Sequence, residues 1–156
     1  MLAILSQNGT SIVDQIRQNL ASTGTNATGK TSRSLRFEVT QTTDKQVLRV
    51  IGKPFFNVVE TGRKATPQYT KPSQEFVNAI KEWAQAKGIP GAAYAIAKSI
   101  HKKGTKLFQV GGRSDIVSNV INQTLIDKIS KDVLDKFAAE YLKNAANIFT
   151  SGRNIN

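Results

Sequence analysis

The sequence predicts an α+β fold: a small antiparallel sheet, made of a hairpin plus a short third strand, packed with helices and followed by a long C-terminal helix. Three observations carry this reading. Leu35, Phe37 and Val39 alternate with Arg36, Glu38 and Thr40, the period of a half-buried strand. The apolar run Val47 to Ile51 follows across a polar turn at Thr42, Thr43 and Asp44, which makes a hairpin. Apolar residues then return at helical spacing twice, first around Trp83 and later from Ile116 to Ile148.

The elements follow in order. Ile12, Val13, Ile16 and Leu20 share one helical face, so a helix is expected over 10–22, capped by Thr10 or Ser11. Residues 23–33, TGTNATGKTSR, are polar and glycine-rich and read as a loop. After the hairpin, Phe55 to Val59 supplies the short third strand, ending at Thr61-Gly62. Residues 62–72, GRKATPQYTKP, carry two prolines and form a connecting loop.

Residues 73–87 are expected to be a helix with Ser73 as its cap and Glu75 in its first turn, where the helix dipole favours an acid. Gly88 suits the left-handed stop, with Ile89 and Pro90 after it. A second helix over 91–103 is rich in small residues and ends in His101, Lys102, Lys103 and Gly104. Residues 105–113 read as a loop. Residues 114–149 read as helical, either unbroken over about 50 Å or broken near Asp127. This divides the chain into an α+β unit over 1–113 and a helical extension over 114–156 with a flexible tail.

Composition narrows the partners. Twenty-two Lys and Arg face eleven Asp and Glu, a net +11 that attracts phosphates or acidic protein faces. The excess sits in the middle. From Lys53 to Lys106 ten cations face three acids, whereas from Asp115 to Ile148 four face five, so unlike faces of two copies could meet. With no cysteine there is neither a disulfide framework nor a thiolate metal site. The start, MLAILSQNG, has no basic region or long apolar run, and no stretch is long and apolar enough to span a bilayer. A soluble protein with no membrane contact is expected.

One motif resembles catalytic machinery. Gly24 to Thr31, GTNATGKT, matches the phosphate-binding pattern G-x-x-x-x-G-K-[ST]. That chemistry needs a buried strand before the loop and a helix after it. Here a helix precedes and an alternating strand follows, and no apolar strand ends in a metal-holding acid. The loop is therefore read as structural. A single His and no Cys leave no nucleophile–base pair or His cluster. His101 reads as a solvated cation at a helix end. Asp127/Lys131 and Asp132/Lys136 read as solvated i,i+4 pairs. Glu60 reads as a structural hydrogen-bond acceptor. No catalytic residue, cofactor, metal or small-molecule substrate is expected.

Lys98, Lys102, Lys103, Lys106 and Arg113 cluster around one helix end and the following loop. Three readings stay open: a solvated surface, contact with an acidic neighbouring subunit, and contact with DNA phosphates. Tyr69, Tyr94 and Phe108 lie nearby in sequence as aromatics for stacking, and Phe108 with Val110 would suit insertion into a partner's groove.

The segments GKTSRSLRFEV, FFNVVETGRKATPQYTKP, FVNAIKEWAQAKGI and AYAIAKSIHKKGT together span roughly residues 29–106. In this order, with V-E-x-G at Val59–Gly62 and W-x-x-x-K-G-I at Trp83–Ile89, the chain resembles the tail-completion or minor tail-component family of tailed bacteriophages. The resemblance implies an α+β fold and a homo-oligomeric ring in the neck or tail of the virion. Such a ring joins the portal or head–tail connector to the tail, beside adjacent ring proteins, and assembles in the bacterial host cytoplasm. It implies no catalytic residues. The alternatives are a basic DNA-binding accessory protein and, more remotely, a P-loop nucleotide hydrolase.

Overall fold

The computed structural model describes residues 2–54, 56–66 and 70–151. Helix α1 runs from Leu2 to Ser22, beginning eight residues before its expected start at residue 10, with half-buried Leu5 one turn before Gly9 on the same face. It buries Gly9, Ile12, Val13, Ile16 and Leu20. A polar turn leads to a five-residue helix, α2 (Lys30–Ser34), which opens on Gly29 in the left-handed conformation (φ 66°). Arg17 reaches from α1 to the end of α2, donating to the Leu35 carbonyl at 2.8 Å and the Ser32 carbonyl at 3.3 Å.

Strands β1 (Arg36–Gln41) and β2 (Gln46–Ile51) pair antiparallel, with Phe37 opposite Val50 and Val39 opposite Leu48. Directly opposed residues share a face, and this face turns towards α1, where Phe37, Leu48 and Val50 pack on the core. The turn closes as expected, with the Thr42 N–H donating to the Lys45 carbonyl at 2.9 Å.

The expected third strand is not formed among the described residues. Asn57–Thr61 is a short helix, α3, held by the Gly62 N–H on the Val58 carbonyl at 2.8 Å. Gly52, Lys53 and Pro54 turn the chain out of the sheet first. A five-residue apolar run carries no period that separates strand from buried helix, and Gly62, at φ 74°, supplies the helix stop. Phe55, at the start of that run, lies outside the described residues.

Helix α4 (Gln74–Ala86) starts where its cap predicted, the Ser73 side chain accepting from the Phe76 N–H. It stops at Gly88, at φ 73°, where the Ile89 N–H returns to the Ala84 carbonyl at 2.8 Å. A 3-10 turn (Pro90–Ala92) leads to α5 (Ala93–Lys103), which packs on α4. Ala84, Ala93 and Ala97 are buried, so these small residues bring the helices close. Gly91 and Ala95 stay exposed. A four-residue helix, α6 (Lys106–Gln109), occupies part of the expected loop, and α7 (Gln123–Ser151) ends the described chain.

The expected boundary after residue 113 cuts through the core. Ile116 and Val120 are buried with Ile12, Val13, Ile16, Leu20 and Leu35, while Leu125 and Ile129 pack against that cluster. Residues 114–122 are not helical. They are a folded bridge, and α7 begins after Asn122, whose side chain accepts from the Leu125 N–H at 3.0 Å. The flexible tail expected beyond α7 lies outside the described residues.

Candidate functional site

Three segments cross closely where α3, α5 and α6 meet. The Thr105 N–H donates to the Arg63 carbonyl at 2.9 Å, and the Thr105 hydroxyl accepts from the Arg63 N–H at 3.0 Å. Thr105 also caps α6 through the Phe108 N–H. The crossing needs glycine: a Cβ on Gly104 would lie 2.7 Å from the Arg63 carbonyl, and one on Gly112 would lie 2.6 Å from the Thr61 carbonyl. Arg63 stacks over the Phe76 ring, 3.6 Å from its centroid, which ties the crossing to α4.

Glu60 fastens the bridge to this crossing. Its carboxylate accepts from the Ser114 hydroxyl at 3.0 Å, the Val117 N–H at 2.9 Å and the Ser118 hydroxyl at 2.5 Å. Burial alone would raise its pKa, but the Ser118, Val117 and Ser114 donors outweigh it and hold the group below the usual carboxylate value. Glu60 thus fills the structural hydrogen-bonding role expected of it. It positions Ile116 in the core, and Asp115 between these partners adopts φ 60°.

His101 departs from expectation. It is 7% exposed, so it is buried and not on a solvated face. Ala93, Ala97 and His101 fall at i, i+4 and i+8 on the buried face of α5, and the imidazole Nε2 lies 2.7 Å from the Thr70 carbonyl and 3.1 Å from its hydroxyl. Its backbone carbonyl accepts from the Thr66 N–H at 2.8 Å. The i,i+4 pairs of the last helix also differ. Gln123 occupies Asp127 at 2.8 Å, and the cations turn forwards instead, Lys131 to Asp135 at 2.7 Å and Lys136 to Glu140 at 3.8 Å.

The sequence-predicted contact residues gather around this crossing. Lys98, Lys102, Lys103 and Lys106 are exposed, and none is ion-paired among the described residues. Arg113 pairs with Asp115. Phe108 is 39% exposed, with its ring folded back over Gly104, so Val110, at 72%, forms the tip. Tyr94 is exposed on α5, and Tyr69 lies outside the described residues.

The loop that spells a phosphate-binding motif docks on α4. Lys30 is ion-paired with Glu82, and Lys87 donates to the Gly24 carbonyl at 3.1 Å. The helix after the loop has only five residues, and α1 precedes it where a phosphate site needs a strand.

A second surface lies on the long C-terminal helix, whose amphipathic pattern in the sequence also suits assembly. Beyond Val133 every large apolar side chain of α7 is more than half exposed: Leu134, Phe137, Tyr141, Leu142, Ile148 and Phe149, at 57–77%. Their spacing announced a helix, but spacing alone does not say whether the chain covers its own stripe.

Among the described residues no group of three or more His, Cys, Asp or Glu could hold a metal ion, and no helix is long and apolar enough to cross a membrane. Comparison with protein-family models, curated proteins and solved structures found no match.

Proposed function

We propose that this chain is a structural virion protein, not an enzyme, that assembles with copies of itself into a ring of the phage neck or tail. The ring joins the portal or head–tail connector to the tail, with adjacent neck or tail ring proteins as neighbours. The observation that carries this reading is the uncovered apolar face of α7, six large side chains at 57–77% exposure. Monomeric proteins rarely expose contiguous apolar patches beyond a few hundred Å². The resemblance over roughly residues 29–106 supports the neck or tail as the place of assembly. Light scattering and negative-stain images, of the protein alone and with neck extract, test it. Rings that enter particles are expected; a monomer that never enters them overturns it.

The unpaired lysines favour a second reading, a DNA-binding accessory role, which would also suit DNA passing close to Lys98, Lys102, Lys103 and Lys106. Four phosphate contacts would make log affinity for duplex DNA fall with log salt at a slope of about −3.6. Absence of binding at low salt removes this reading.

A further inference from the structure

We infer that the free end of α7 seats in an apolar groove on the next copy, so that subunits join head to tail. The inference rests on the ring reading above and names the residues that would make the contact. Two unmatched apolar surfaces lie on one chain. The first is the stripe from Leu134 to Phe149. The second is a groove of about 370 Å³ between α1, β2 and the first turns of α7. Leu5, Leu48, Val50, Ile121, Ile126 and Ile129 line it, and Ser130 is the one polar residue of its described lining.

These surfaces cannot satisfy each other within one molecule. α7 is one unbroken helix from Gln123 to Ser151, about 44 Å long. Ile126 and Ile129 form a wall of the groove, and the free stripe begins just beyond them on the same rod. A continuous helix does not double back onto its own first turns, so the occupant must come from another molecule. A second copy brings a helix of suitable chemistry. Asp135 and Glu140 are already paired with Lys131 and Lys136 along the helix, so those acids need no partner from a groove that offers no charge.

The area sets an upper bound. Full cover of the six side chains, on the order of 100 Å² or more each, would remove about 700 Å² of the helix from water, approaching the ~800 Å² per partner of a stable interface, and the groove of about 370 Å³ takes part of that stripe. Helix and groove are unlike surfaces, so each copy offers one of each. Such a heterologous contact propagates and closes into a ring when the rotation per subunit allows.

The chain has no cysteine, so introduced thiols report only their own contacts. Ile126→Cys, in the groove, and Leu142→Cys, on the free helix, are purified separately, mixed and mildly oxidised. The mixture should give a crosslinked heterodimer that neither variant gives alone. Dominant Leu142→Cys self-crosslinking would instead mean that two α7 helices pair with each other, and it overturns the inference.

Ile126→Arg and Leu142→Arg complete the test, with circular dichroism showing that each stays folded. Each alone should run as a monomer of 17.0 kDa. Their mixture should form a heterodimer, because one variant keeps an intact helix and the other an intact groove. If the wild type assembles and both arginine variants do too, the helix-in-groove contact is wrong while the ring survives. If the wild type is monomeric at every concentration, the ring reading itself fails.

Discussion

Gly9→Ala sets two effects against each other inside α1, and the structure decides which one prevails. In an open helix interior, alanine in place of glycine stabilises by about 1 kcal/mol, because it lowers the backbone entropy of the unfolded chain. Gly9 is buried against the sheet, and a Cβ there would lie 2.6 Å from Cγ of Phe37 and 2.9 Å from Cδ1 of Leu48. The strand register fixes the Phe37 backbone opposite Val50, so an added methyl must displace the ring or lift α1 from the sheet. Overpacking of this kind costs about 1–3 kcal/mol. The net expectation is a loss of up to about 2 kcal/mol, the clash offsetting or outweighing the helix gain. Equilibrium urea unfolding followed by circular dichroism measures it, at one fixed protein concentration because assembly would make the transition concentration-dependent. Gly91→Ala is the control: nothing lies within 4 Å of a Cβ there, so stability should hold or rise slightly. A Gly9→Ala variant more stable than wild type would refute the close packing of α1 on β1 and β2.

Glu60→Gln should destabilise by about 1–3 kcal/mol, since hydrogen bonds to a charged acceptor are replaced by weaker or mismatched ones. The carboxylate pKa is depressed on folding, so its stabilisation is fully present above the unfolded value and is lost as pH falls through the folded one. Wild type should therefore lose stability below about pH 4.5 more steeply than the glutamine variant, and parallel curves would contradict the assignment. His101→Ala should cost about 1–3 kcal/mol by removing a buried hydrogen-bonding ring, and a surface-like effect near zero would contradict its burial. Lys30→Ala breaks only an exposed pair with Glu82, so the melting temperature and assembly should be unchanged. Isothermal titration should detect no nucleotide binding to wild type; tight binding abolished by Lys30→Ala would revive the hydrolase reading.

Local signals in the sequence are legible. Strand alternation at Leu35 to Val39, the Ser73 cap and the Gly88 stop each depend on neighbours within a few residues, and each stands where expected. The misreadings share a different cause. Phe55 to Val59 was too short to show a period, so helix and strand looked alike. The lysines beside His101 in sequence suggest a solvated helix end, whereas Ala93 and Ala97 at i−8 and i−4 mark the buried face it shares. Glu60 announced a polar anchor, but its partners Ser114, Val117 and Ser118 lie more than fifty positions away and no local pattern points to them. The segment 114–122 has apolar spacing that suits a helix, yet it folds as a bridge in which Glu60 accepts from the Val117 N–H and the Ser114 and Ser118 hydroxyls. The basic cluster and the Phe108–Val110 loop are legible in the sequence; the structure adds that the lysines are exposed and that Val110, not Phe108, is the more open tip.

The proposed role turns on whether the free face of α7 is covered by another copy. Native mass spectrometry of the full chain across a range of concentrations measures this most directly. Assembly through unlike surfaces predicts one closed species of fixed stoichiometry above two, shifted to monomer by Leu142→Arg. A wild-type chain that stays monomeric at every concentration, with Leu134 to Phe149 still open to solvent, would contradict the account.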